Sequence, residues 1–269
     1  MAVTLTGNVL TAAEQKAQAR LGAQYAALAL LLWKKYATTE DVDTSFARIV
    51  ELLVPQILKG RLQASTTSRK YYQTFRILET PDKTVWTPPA PIAQLDRSVI
   101  ETSLRVTGPV NFKKKLEKIS GADLEPAVEK ALVEKFLKDA GEAMAAASMR
   151  HVVDGARQQV EADVRADKVA LGFLRVTKSA QPCYFCAILA SRGPVYKDES
   201  FKASDALFDG EGTAKAHDNC ACVLEPVFSR STQWPAQSRR GAEIWGNVSK
   251  GKSGKDAILA FRKAVEGRD

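Results

Sequence analysis

The chain has 269 residues, 45% hydrophobic and 26% charged. That balance excludes a disordered or fibrous protein and leaves room for one large domain or two small ones with real cores. The formal charge of +8 suits an acidic partner, nucleic acid or an acidic protein surface, and decides nothing about fold.

Thr11-Ala-Ala-Glu14 has the pattern of a capping box, so a first helix is expected from there to about Tyr36. Its apolar run, Leu21 to Trp33, is too short to cross a bilayer, which needs ~20 residues. Met1 to Leu10 lacks the basic and then apolar pattern of a secretory signal. A chain made and kept in a cytoplasmic setting, with reduced thiols and no membrane contact, is expected. A second helix starts near Asp41 or Asp43 and carries Phe46, Ile49, Val50, Leu53 and Ile57. Pro55 should kink or split it, and polar residues 64–70 read as a break.

Residues 80–91 hold Pro81, Pro88, Pro89 and Pro91 and read as an extended connection. Helix resumes near Ile92 and runs to about Val106, before Gly108-Pro109. The lysines of Asn111 to Ile119 read as a solvated helix face. From Leu124 to Lys168, apolar residues recur every four positions: Val128, Leu132, Phe136, Ala140, Met144, then Val152, Ala156, Val160, Val164. Such a stripe drifts ~40° per step around a helix. One long helix, or two broken near Gly141 or Gly155, is expected.

Gly172 to Thr177 alternates like a half-buried strand, and Cys222 to Phe228 reads as a second strand. After Ser229, nine Lys and Arg face four acids, which marks a basic tail with a short helix near Lys255 to Val265. Arg239, Arg240, Lys250, Lys252 and Lys255 are its candidate nucleic-acid contacts. The fold expected is a mainly α N-terminal region over 1–170, with a possible break at 80–91. A small α+β module, stapled by zinc, follows over 171–228, and the tail over 229–269.

The zinc expectation rests on Cys183, Cys186, His217, Cys220 and Cys222, which include every cysteine and one of the two histidines. Zinc takes four sulfur or imidazole ligands at tetrahedral corners. Cys183-Tyr-Phe-Cys186 supplies one side of an ion, and His217-x-x-Cys220-x-Cys222 the other. Four of these five would bind the metal, either as Cys₄ or as Cys₃His. A catalytic zinc of the deaminase type also needs an upstream H-x-E; the only upstream histidine, His151, is followed by Val152 and Val153. Four protein ligands close the coordination sphere, so a structural ion and no enzyme activity are expected.

Cys183-Tyr-Phe-Cys186, Gly193-Pro-Val-Tyr196 and His217-Asp-Asn-Cys220-Ala-Cys222, leading into a short apolar strand, resemble the MuF-like family of phage head morphogenesis proteins, or minor capsid proteins. The match spans about Gly172 to Phe228. Many members carry His-Pro-x-Cys-Arg-Cys; this chain has Asp218 and Ala221 in place of the proline and arginine. The resemblance implies a low-copy protein inside the virus head, bound to the portal or inner capsid shell and near packaged double-stranded DNA. The alternatives are a zinc-containing nucleic-acid-binding protein unrelated to capsids, with Tyr184, Phe185, Tyr196 and Phe201 stacking on bases, or a metal-dependent nuclease or transferase.

Overall fold

The computed structural model describes residues 2, 4–88, 95–177, 182–197, 220 and 222–267. Three long helices make the body: α1 (Leu5–Tyr36), α2 (Val42–Glu79) and α5 (Pro126–Ala166), each packed on the other two. Between α2 and α5 come α3 (Arg97–Arg105), a π turn (Val106–Val110) and α4 (Asn111–Glu117). After α5 the chain forms β1 (Gly172–Val176), α6 (Tyr184–Ala190), β2 (Val195–Tyr196) and β3 (Val223–Val227). The strands make one antiparallel sheet in the order β2-β1-β3, with Gly172 opposite both Tyr196 and Val227. Two further helices, α7 (Ala236–Val248) and α8 (Gly254–Glu266), complete the described chain. A mainly helical protein with a small α+β module is therefore what the sequence folds into.

α1 begins earlier than the capping-box pattern implied. Thr4 is its N-cap, with the side chain accepting from the Gly7 amide, and its hydroxyl also bonds Glu79 at the end of α2. Thr11 and Glu14 are interior and buried instead. Residues three apart share a helix face, so the same spacing serves a buried polar pair as well as a cap. The Thr11 hydroxyl donates to Glu225 of β3 at 2.6 Å and lies 2.9 Å from the Tyr71 hydroxyl. Glu14 accepts from Gln18 at 2.8 Å and from Ser68.

α2 runs unbroken through Pro55 and residues 64–70. Pro55 lies on the solvent side, where water can serve the carbonyl that loses its donor. Ser65 and Ser68 face the bundle interior, and the Thr66 and Thr67 hydroxyls return to the carbonyls of Leu62 and Gln63 at 2.9 and 3.0 Å. Gly108-Pro109 does not end the helical path either. The wider π turn carries it into α4.

α5 is one helix, and its glycines mark close crossings, not breaks. A Cβ at Gly141 would sit 2.4 Å from the Trp33 ring, and one at Gly155 would sit 2.6 Å from the Arg61 carbonyl oxygen. Trp33 donates from Nε1 to the Leu137 carbonyl at 2.9 Å. Around it gather Phe46, Leu53, Ile57, Leu104 and Met144, the core of one end of the bundle.

The other end is built jointly by helices and strands. Tyr71, Tyr72 and Phe75 of α2 and Val160 and Val164 of α5 pack with Phe173 and Leu224 of the sheet. Buried Asp167 fixes the turn from α5 to β1: it accepts from Arg76 Nε at 2.8 Å and from the Tyr72 hydroxyl at 2.9 Å. Lys197 Nζ donates to the Val164 and Asp167 carbonyls at 3.1 and 2.7 Å, capping the C-terminal end of α5.

The expected tail contains two helices. The terminal helix is present as α8, but α7 lies in a stretch that reads as a polar, basic tail, because Gly241 and Gly246, with Gln237, Ser238, Arg239 and Arg240, dilute its apolar face. Phe261 is fully buried among Ile188, Leu189 and Trp245, so α7 and α8 share a small core with α6. No helix among the described residues is long and apolar enough to cross a membrane.

Candidate metal centre

Three of the five expected ligands converge. Cys186 enters from the first turn of α6; Cys220 and Cys222 come from the segment that leads into β3. All three side chains are buried and their sulfurs lie within 4.8 Å of one another. The Cys186 sulfur is 3.5 Å from that of Cys220 and 3.7 Å from that of Cys222. Sulfurs bound to a central ion at ~2.3 Å stand ~3.8 Å apart at tetrahedral corners, so two edges already match a zinc-sized site. The third, Cys220 to Cys222, is 2.7 Å. It exceeds the ~2.05 Å of a disulfide and falls short of the tetrahedral edge, so this pair must part slightly around an ion. All four cysteines are free thiols. The donor set thus fits a metal ion.

Cys183 is the N-cap of α6 and lies at the solvent edge of the cluster. Its sulfur accepts from the Cys186 amide at 3.5 Å. The C-x-x-C spacing thus places Cys183 at the start of α6 and Cys186 in its first turn, and of the two only Cys186 belongs to the buried three-sulfur group. His217 lies outside the described residues, as does Phe201.

Two arginines line the inner side of the cluster, and neither was singled out from the sequence. Arg157 of α5 donates from Nη1 to the Cys222 carbonyl at 3.0 Å and lies 3.9 Å from the Cys220 sulfur. Arg175 of β1 donates to the Cys222 sulfur at 2.8 Å. Hydrogen bonds from Cys186 and Cys220, then the charges of Arg175 and Arg157, hold the Cys222 thiol well below the ordinary thiol range despite burial. Cys186 moves the opposite way: bonding with Cys183, Cys220 and Cys222, together with burial, pushes it up. Of these thiols, the one on the arginine side is thus the one whose thiolate form the surroundings favour. The overlooked signal was the position of Arg157. It interrupts the buried stripe Val153, Ala156 and Val160, and a charge on such a stripe requires a buried partner.

The other sequence candidates fall elsewhere. Arg239 and Arg240 on α7, Lys250 and Lys252 in the following turn, and Lys255 on α8 are all exposed. The Tyr184 ring lies under the Arg262 guanidinium at 4.9 Å, and the Tyr196 ring under that of Arg230 at 4.5 Å. Phe185 packs into the core shared by α6, α7 and α8. These three aromatic faces already have protein neighbours. His151 is buried in the middle of α5, and its carbonyl accepts from Arg61 at 2.9 Å.

A family model described as VG15 protein matches residues 9–241, from α1 into α7 and across all four cysteines. The chain is 24% identical over 242 residues to the Gene 15 protein of Mycobacterium phage D29, spanning 81% of this chain and 78% of that one. It is 23% identical over 250 residues to the Gene 15 protein of Mycobacterium phage L5, spanning 81% and 76%. No solved structure matches.

Proposed function

The chain belongs to the VG15 protein family, which includes phage proteins, and we propose on that footing that it is a low-copy structural component of a phage head. In this reading it sits inside the capsid, against the portal or the inner shell, as the MuF-like resemblance implies. It is a scaffold, not an enzyme. Its C-terminal module is stapled by zinc, held by Cys186, Cys220 and Cys222 with Cys183 as the fourth ligand.

The observation that carries the reading is the buried three-sulfur cluster between the start of α6 and the approach to β3. Ligands enclosed by protein favour a structural ion over a catalytic one, which keeps an open position. When bound, zinc would supply a cross-link between α6 and the start of β3. The chain's own residues do the rest: Cys183 and Cys186 present two thiols from one helix start, while the segment leading into β3 carries the other two into the core beside α5. The exposed lysines and arginines of α7 and α8 suit loose, sequence-independent contact with packaged DNA.

Quantitative mass spectrometry of purified phage particles tests the role. The protein is expected in DNA-filled heads at a few copies per portal. Its presence in infected cells and absence from particles would overturn the reading.

A further inference from the structure

We propose that Arg157 and Arg175 are positioning residues of the thiolate site: outer cations that balance the charge of the metal-bound sulfurs and fasten the Cys220–Cys222 segment to α5 and β1. The proposal rests on the metal reading above.

The two guanidiniums are among the most buried polar groups described, with Arg157 1% and Arg175 3% exposed. An arginine cannot shed its charge, so a buried one needs a counter-charge. Arg157 meets Asp154, one turn earlier on α5, through Nε at 3.0 Å and Nη2 at 2.6 Å. That leaves Nη1 for the metal-binding segment, where it reaches the Cys222 carbonyl and the Cys220 sulfur. Arg175 donates to the Cys222 sulfur directly, in close contact at 2.8 Å. Ligand thiols bind metal as thiolates. Three on a divalent ion leave a charge of −1, and four leave −2. In a core this enclosed, that charge needs compensation, and both guanidiniums stand where it arises.

Arg157 also ties the site to the bundle. It belongs to the long helix, whereas the sulfurs belong to α6 and the entry to β3. A metal held there cross-links α6 to the start of β3, and Arg157 adds a tie from that cross-link to α5, beside the packing of Val160 and Val164 on the sheet.

The test uses the full chain and two ions, zinc and cobalt(II). Zinc affinity is read by competition with a chromophoric chelator, and the sulfur-to-cobalt charge-transfer band by absorption. Arg157→Met and Arg175→Met should each weaken zinc binding by about 10–100-fold, the usual effect of removing an outer partner of a metal ligand. The cobalt band of Arg175→Met should move to lower energy, because its sulfur loses a stabilising cation. Arg175→Lys keeps the charge without the fork and should fall between wild type and Arg175→Met in both readouts. Affinity within about twofold of wild type and an unmoved band in Arg175→Met would overturn the proposal. If Arg175→Met does not fold, Arg175→Lys decides: weaker binding with a shifted band upholds positioning, and wild-type behaviour overturns it. Failure of the unmodified chain to bind either ion would instead sink the metal reading itself.

Discussion

Replacing Gly155 by alanine puts a methyl group where α5 crosses α2. The added carbon would lie 2.6 Å from the Arg61 carbonyl oxygen, 2.8 Å from Arg61 Cγ and 2.9 Å from Ser65 Oγ. Unstrained contacts need ~3.5 Å, so the helices would have to separate by roughly 0.9 Å at this point. The nearest atom is backbone and cannot rotate aside. Overpacking of this kind costs about 1–3 kcal/mol. Alanine recovers about 1 kcal/mol over glycine in a helix interior. A net loss of up to ~2 kcal/mol follows. Gly246 of α7 has nothing within 4 Å of its Cβ position, so Gly246→Ala isolates the propensity gain. Urea denaturation followed by far-UV circular dichroism compares the two. If Gly155→Ala stabilises as much as Gly246→Ala, the close crossing of α2 and α5 is wrong. Gly155 also precedes Arg157 by two residues on the same helix, so a displaced crossing should loosen metal retention as well.

Burial raises the Glu14 carboxyl above its ordinary range, against the pull of its hydrogen bonds from Ser68 and Gln18. The fold then holds more protons than the unfolded chain between the ordinary and the raised value, so stability falls as pH rises through that window. Glu14→Gln keeps an acceptor oxygen for both donors and removes the charge. Its stability should vary less with pH and exceed wild type on the alkaline side of the window, measured by urea denaturation at about pH 5 and pH 8; an unchanged slope would contradict this. Phe261→Ala empties the core shared by α6, α7 and α8 at a cost of about 3–5 kcal/mol. Limited proteolysis should then cut within α7 and α8 while α1, α2 and α5 survive, and a resistant C-terminus would refute the separate core. Neutralising Lys250, Lys252 and Lys255 should lower affinity for unrelated duplexes alike and flatten the salt dependence by about 0.9 in log–log slope per lost phosphate contact. Sequence-dependent losses would contradict loose phosphate contact.

The helical body was legible because its apolar periodicity is long and regular, as in Val152, Ala156, Val160 and Val164. The interruptions misled. Pro55 and the serines of α2 look like breaks locally, yet tertiary burial and solvent exposure each keep that helix whole. Thr11 and Glu14 match a capping pattern, but apart from Gln18 their partners, Glu225, Tyr71 and Ser68, are far away in the chain. Local spacing cannot report such partners. At the site, the cysteines were visible because they are few and clustered. Arg157 and Arg175 were not, since a single arginine among many carries no mark until the fold buries it against sulfur. The short strand β2 and the seven-residue α6 were missed for a related reason: their geometry is imposed by the neighbours they pack on.

Metal analysis of the purified, reduced chain tests the central claim most directly. Zinc at one ion per chain is expected, lost on Cys186→Ser, Cys220→Ser or Cys222→Ser, and weakened by Cys183→Ser if that exposed thiol is the fourth ligand proposed above. Absence of bound zinc from the unmodified chain, or full retention in Cys220→Ser and Cys222→Ser, would contradict a metal-stapled module.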